Sequence, residues 1–120
     1  MSNRLVRINE LVQRELNAYL RKRYQSEAAA LTITSVEIAP DLKTGKAHVA
    51  ILGDAAYVAA RMEWLQKRAG ELRREVGRQI VIKWTPLIEY VLDEAPARAA
   101  RVMQVLEEID RQAPRGTSPE

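Results

Sequence analysis

DAAYVAARMEWLQKRAGELRREVGRQIVIKWTPLIEYVLD, residues 54–93, changes its hydrophobic period once, and that change decides the fold. Val58, Met62, Leu65, Ala69, Leu72 and Val76 follow one another at intervals of three or four, which sets all six on one helical face. After Gly77 the period drops to two. Ile80, Ile82, Trp84, Ile88, Tyr90 and Leu92 share one parity, with Lys83, Thr85, Glu89 and Asp93 on the other. The stretch therefore reads as helix running into strand. Gly70 lies inside the helical part, where glycine costs about 1 kcal/mol relative to alanine. A bend there accounts for it, although the unbroken stripe also permits one straight helix. Pro86 has no N–H for a ladder, so the strand is expected at an edge or with a bulge partway along.

Upstream, residues 4–24 form a helix whose apolar stripe is Leu5, Ile8, Val12, Leu16 and Tyr19. Arg7, Arg14 and Arg21 recur every seven residues and make a second stripe almost opposite, drifting only ~20° per heptad. Strand patterns follow at residues 31–39 and 46–52, joined by Pro40, Asp41 and Gly45, all turn formers. The first strand switches parity between Ile33 and Val36, the signature of a bulge near Thr34 and Ser35. Asp54 is placed to cap the next helix. Past Asp93, Ala95 and Pro96 open a last helix with Ala99, Val102, Leu106 and Ile109 along one face. Two strands joined by a short loop pair antiparallel, and the third returns to the same sheet after the helical crossover. The fold class is α+β, a three-stranded sheet with helices packed on one face. One domain over residues 1–112 and a flexible tail over 113–120 complete the organisation.

Composition narrows the function. The 120 residues include no cysteine and no phenylalanine, which excludes a disulfide framework and thiolate chemistry and leaves an aliphatic core. No stretch approaches the ~20 apolar residues of a membrane span, and no signal peptide is legible, so a cytoplasmic protein is expected. The net charge of +3 is unevenly spread: residues 1–23 and residues 66–83 each hold six basic and two acidic side chains. Local positive potential of this kind attracts polyanions.

The element order α-β-β-α-α-β, with a glycine between the central helices, resembles the type II KH fold. More narrowly, the chain resembles the bacterial ribosome-binding factor A family over about residues 4–110. The stretches that carry this are Arg7-Ile8-Asn9-Glu10-Leu11 with Glu15-Leu16, Val36-Glu37-Ile38-Ala39-Pro40-Asp41-Leu42, Leu65-Gln66 with Ala69-Gly70, and Pro86-Leu87-Ile88-Glu89-Tyr90 with Asp93. In that family an Ala-x-Gly kink replaces the Gly-x-x-Gly loop with which ordinary KH modules clamp a single strand. Its counterpart here is Arg68, Ala69 and Gly70, with Arg68 where the family usually has alanine. Glu94, after Asp93, stands where the family commonly has serine. The resemblance implies a non-enzymatic factor, associated with growth in the cold, that binds the small (30S) ribosomal subunit late in assembly. It also implies contact with 16S ribosomal RNA and help in maturing its 5′ end without nuclease activity.

The residues agree with binding rather than catalysis. His48 is the single histidine, and a packed or edge histidine is the plainer reading than a base. No metal pair, phosphate-cradling loop or nucleophile elbow is legible, and neither metal nor cofactor is expected. On a continuous helical wheel Lys67, Arg74 and Arg78 fall within ~40° of one another, away from the apolar stripe, with Arg73 at the stripe's edge. Glu71 and Glu75 are spaced to pair with that face, so it is either salt-bridged or a site for RNA phosphate. The candidate RNA-binding set is Arg7, Arg14, Arg21, Lys67, Arg68, Arg73, Arg74 and Arg78. Trp64 either stacks on a base or packs under the C-terminal helix, the latter being plainer, and Trp84 belongs to the core by parity. A monomer contacting precursor small subunits and other assembly factors is expected. The alternatives are a general RNA or DNA binder, or a domain that dimerises through its third strand or last helix.

Overall fold

The computed structural model describes residues 3–82 and 85–112. They form, in order, α1 (Asn3–Arg23), β1 (Leu31–Ile38), β2 (Thr44–Ile51), α2 (Ala55–Lys67), α3 (Ala69–Gln79), β3 (Leu87–Leu92) and α4 (Ala95–Gln112). The sheet order is β1-β2-β3. The β1–β2 hairpin is antiparallel, from Leu31 opposite Ile51 to Ile38 opposite Gly45. β3 lies parallel to β2, from Thr44 opposite Leu87 to Val49 opposite Leu92. A parallel neighbour requires a long crossover, which α2 and α3 provide.

Local chemistry sets each junction. In the hairpin turn Leu42 N–H donates to the Ala39 carbonyl at 2.8 Å, and Asp41 Oδ1 accepts from Lys43 N–H at 3.0 Å. A Cβ on Gly45 would fall 2.5 Å from Ile38 Cδ1 and 3.2 Å from the Glu37 carbonyl oxygen, so a side chain there would have to displace the end of Ile38. Gly53 ends β2 with φ of +149°, a left-handed value that disfavours any side chain. Asp54 then caps α2, its Oδ1 accepting from Tyr57 N–H at 2.8 Å.

Alternation in β1 and β2 gives the sheet one apolar face. Ile33, Val36, Ile38, Ala47, Val49 and Tyr90 are buried there, under Ile8, Val12, Leu16 and Leu20 of α1 and Leu72 and Val76 of α3. Burying each large aliphatic side chain contributes about 1.5–3 kcal/mol. The opposite face carries Thr32, Ser35, Glu37, Lys46 and Glu89, all exposed. His48, half-buried on the central strand, lies on that face 3.7 Å from Glu37.

The expected bulge is present, with the register shifting between Ile33 and Ser35. It turns the Thr34 hydroxyl toward the His48 carbonyl at 3.1 Å and Asp93 Oδ2 at 2.9 Å. β1 is an edge strand, and α1 covers that edge with polar groups. Asn9 Oδ1 accepts from Ile38 N–H and Asn17 Oδ1 from Ile33 N–H, both at 2.9 Å. Gln13 Nε2 donates to the Ile33 and Thr34 carbonyls at 3.2 and 3.1 Å, and Asn17 Nδ2 to Ile33 at 3.0 Å. Three amides spaced four apart thus stand where a fourth strand would pair.

One departure from the sequence-based expectation has a clear cause. The third strand begins at Leu87, not near Ile80, because Pro86 is buried without a donor and Arg73 occupies the Thr85 carbonyl. Trp84, expected in the core, lies outside the described residues. The last helix forms as expected, but among the described residues α4 makes no packed interface with another element. Its projection is reflected in overall extents of 65 × 35 × 20 Å.

Asn17→Ala leaves the Ile33 N–H without a side-chain partner and its carbonyl with Gln13 alone, and should cost about 1–3 kcal/mol, read from urea denaturation. Arg14→Ala, on the exposed side of the same helix, should stay within about 0.5 kcal/mol.

Candidate nucleic-acid interface

The central helical pattern breaks at Arg68, two residues before the glycine. Arg68 has φ −101° and ψ 10°, closing α2 through its N–H to the Leu65 carbonyl at 2.9 Å. Its carbonyl accepts from Leu72 N–H at 2.9 Å, so the same residue opens α3. Gly70 sits in the first turn of α3 with no positive φ, and a Cβ there would meet only Arg74, at 4.0 Å. The break is held by aromatic stacking. The Arg68 guanidinium lies 4.4 Å from the Trp64 ring centroid and 5.3 Å from that of Tyr24, and donates to the Trp64 carbonyl at 3.1 Å. Arg61 lies 5.3 Å from the Trp64 ring, and Tyr24 meets Trp64 edge-on at 5.0 Å. Trp64 is therefore packed, against Tyr24 and two arginines and not under α4.

α1 and α3 are joined by Glu71. Tyr19 donates its hydroxyl to Glu71, and the Tyr24 hydroxyl lies 2.8 and 2.7 Å from the two carboxylate oxygens. The Tyr19 hydrogen bond, seconded by Tyr24 and by the charges of Arg23 and Arg68, holds this carboxyl below the usual range despite the opposing effect of burial. The same hydrogen bond pushes the Tyr19 phenol up. One turn on, Glu75 is buried and accepts from Arg78 and, at 3.0 Å, from Gln79. Arg78 foremost lowers its pKa.

These contacts sort the candidate residues. Arg7, Arg14 and Arg21 are all exposed, along the side of α1 away from the core, with no side-chain partner among the described residues. Arg74 is likewise exposed and unpaired, at the edge of a 380 Å³ cleft floored by Gly70 and Gly77 and closed by Arg73 and Thr85. Arg78 lines an 840 Å³ groove between α1 and α3 with Lys22, Arg23, Glu15 and Glu75. Arg68 is stacked inward, and Arg73 donates to the Thr85 carbonyl at 2.8 and 3.1 Å. Lys67 belongs to α2 and faces Glu63 at 3.9 Å. A wheel drawn through Arg68 groups Lys67 with Arg74 and Arg78; the break separates it from them. Of the two pairings expected on that face, Glu75 takes Arg78, whereas Glu71 turns to the tyrosines. Lys22 and Arg23 were missed in the sequence, because the groove they line exists only once α3 lies beside α1. Their one signal is the run of three basic residues ending that helix.

The family described as ribosome-binding factor A matches residues 4–106. The chain belongs to that family. Ribosome-binding factor A of Opitutus terrae is 57% identical over 114 residues, covering 95% of this chain and 93% of that protein. The Akkermansia muciniphila protein of the same name is 31% identical, covering 96% and 91%. A crystal structure of ribosome-binding factor A from Thermus thermophilus superposes with a TM-score of 0.65 at 14% identity, over 73% of this chain and 94% of that one. A Thermus thermophilus ribosome-binding factor A homology model, fitted into a cryo-EM map of its complex with the 30S subunit, superposes with a TM-score of 0.59 at 15% identity. It covers 72% of this chain and 91% of that one. The type II KH-like architecture is thus shared, and the chain is a ribosome-binding factor rather than an enzyme. No described helix is long and apolar enough to cross a membrane.

Because the Glu71 pKa is depressed by folding, its contribution to stability is whole above the ordinary glutamate range and is lost as pH falls through the lowered value. Denaturation curves should separate wild type from Glu71→Gln at neutral pH and draw together as pH falls from the ordinary glutamate range through the lowered value. A separation undiminished at about pH 3 would show that the tyrosine contacts do not depend on the carboxylate's charge.

Proposed function

We propose that this chain binds the small ribosomal subunit late in its maturation, seated on 16S ribosomal RNA by the outward guanidinium groups of α1 and by Arg74 of α3. Occupying that site holds local RNA in a precursor arrangement until the factor is displaced, and so assists maturation of the 5′ end without cutting RNA. The observation that carries this reading is the set of four arginines, Arg7, Arg14, Arg21 and Arg74. They are exposed and unpaired among the described residues, on a chain of the ribosome-binding factor A family. The 30S complex of the Thermus thermophilus relative supports the same partner, and a cytoplasmic location follows from it.

Arginine suits the task because its planar fork meets phosphate oxygens in pairs and stays charged at every physiological pH. Such contacts fix position and carry no base code; folded rRNA supplies specificity through its shape. Arg68 and Arg73 act behind this surface, one holding the helix break and the other the loop before β3. Lys22, Arg23 and Arg78 add positive potential along the α1–α3 groove, tempered by Glu15 and Glu75.

Co-sedimentation with precursor small subunits tests the proposal. The triple variant Arg7→Glu, Arg14→Glu, Arg21→Glu should lose at least about tenfold in affinity, and wild-type binding should weaken steeply with salt, by roughly 0.7–0.9 log units per log unit for each phosphate met. Equal binding to naked duplex RNA would point to a general nucleic-acid module, and binding untouched by the charge reversals would overturn the assigned surface.

A further inference from the structure

α4 is amphipathic and uncovered. Ala99, Val102, Leu106 and Ile109 succeed one another by three, four and three residues, a heptad seam. Met103 lies on one flank of that seam and Val105 on the other. Val102, Met103, Val105, Leu106 and Ile109 are each 54–58% exposed, although they form one continuous apolar strip. Soluble proteins rarely leave such a strip in water.

The charges on the helix say what fits it. Glu94, just before the helix, pairs with Arg98 at 3.4 Å and Glu108 with Arg111 at 3.1 Å, so these four charges cancel locally. Left over among the described residues are Arg101 in the first half and Glu107 and Asp110 in the second. The helix is therefore positive toward its start and negative toward its end once its own pairs are discounted. A second copy running the other way sets each positive half beside the other's negative half and opposes the two helix dipoles. A parallel copy would bring like charges together along the whole length.

Side-chain size gives the same orientation. In antiparallel register Ala99 of one copy meets Ile109 of the other and Val102 meets Leu106, each layer occurring twice about a two-fold axis. Small faces large in the outer layers, and Met103 and Val105 close the middle. In parallel register Ala99 would face Ala99 and leave a gap at one end, while Ile109 crowded Ile109 at the other.

We propose that α4 is a self-association surface by which two copies of this chain pair antiparallel through Ala99, Val102, Leu106 and Ile109. This departs from the single-copy expectation drawn from the sequence. It does not depend on the RNA-binding reading, because the arginine row of α1 lies outside the strip. A single helix pair of this length makes a small interface, so the association is weak and concentration-dependent.

The test is sedimentation equilibrium of the full chain from about 1 μM to about 1 mM, the range in which so small an interface titrates. The mass should rise from 13.6 kDa toward twice that value, and Leu106→Glu, whose site touches no core residue, should hold it at the lower figure with its circular dichroism unchanged. The chain has no cysteine of its own, so orientation can be read by crosslinking. Ala99→Cys and Ile109→Cys mixed in a glutathione redox buffer should form a disulfide with each other, and neither should do so alone. A mass that stays at 13.6 kDa throughout, association that survives Leu106→Glu, or Ala99→Cys linking to itself as readily as to Ile109→Cys would each overturn the proposal.

Discussion

The position of α1 governs nearly everything else in the molecule. Asn9, Gln13 and Asn17 place their amides along the free edge of β1 and answer its outward N–H and carbonyl groups at 2.9–3.2 Å. An unsatisfied buried backbone group costs about 1–3 kcal/mol, so a helix displaced along this edge would forfeit several such bonds at once. With α1 fixed in register, Val12 and Leu16 enter the core and Arg7, Arg14 and Arg21 point away from it. The same contacts deny the edge to a foreign strand, a recurrent hazard for small open sheets. One row of amides thus serves both packing and solubility.

The second constraint is the helix break. Arg68 interrupts the helix with its backbone while its side chain ties α2 back to Tyr24, at the end of α1. Glu71 binds Tyr19 and Tyr24 from the other side of the break. The turn between α2 and α3 is therefore gripped from both sides by aromatic residues flanking Arg23. Where the family pattern has alanine, this chain uses a large cation, and the cation has been absorbed into the structure.

Much of this was legible in the residues alone. The apolar stripe of Val58, Met62, Leu65, Ala69, Leu72 and Val76 and the parity switch in β1 depend only on local periodicity, and both survive in the fold. The family resemblance, resting on separated motifs, gave the topology. What could not be read was which cations remain free. Lys67, Arg68, Arg73 and Arg74 are all candidates by charge, yet one faces a carboxylate, one is stacked, one holds a carbonyl and one is open. That sorting depends on Tyr24, Thr85 and Glu63, and for the first two on tertiary placement that spacing does not encode. The amide row was missed for the same reason: Asn9, Gln13 and Asn17 resemble a neutral polar flank until an edge strand lies beside them.

Asp93 links the bulge to the last helix. Its Oδ1 accepts from Ala95 N–H at 3.0 Å while Oδ2 meets the Thr34 hydroxyl at 2.9 Å, and its own N–H donates to Val49. Chiefly through the Ala95 contact, its pKa is held below the ordinary aspartate value. One carboxylate thus acts as the bracket of a lever, setting the heading on which eighteen residues leave the sheet. Since α4 makes at most slight contact with any other described element, the angle set at this pivot decides where its far end lies. The Thr34 contact thereby ties the β1 irregularity to the heading of a helix that reaches more than about 20 Å, at a rise of about 1.5 Å per residue.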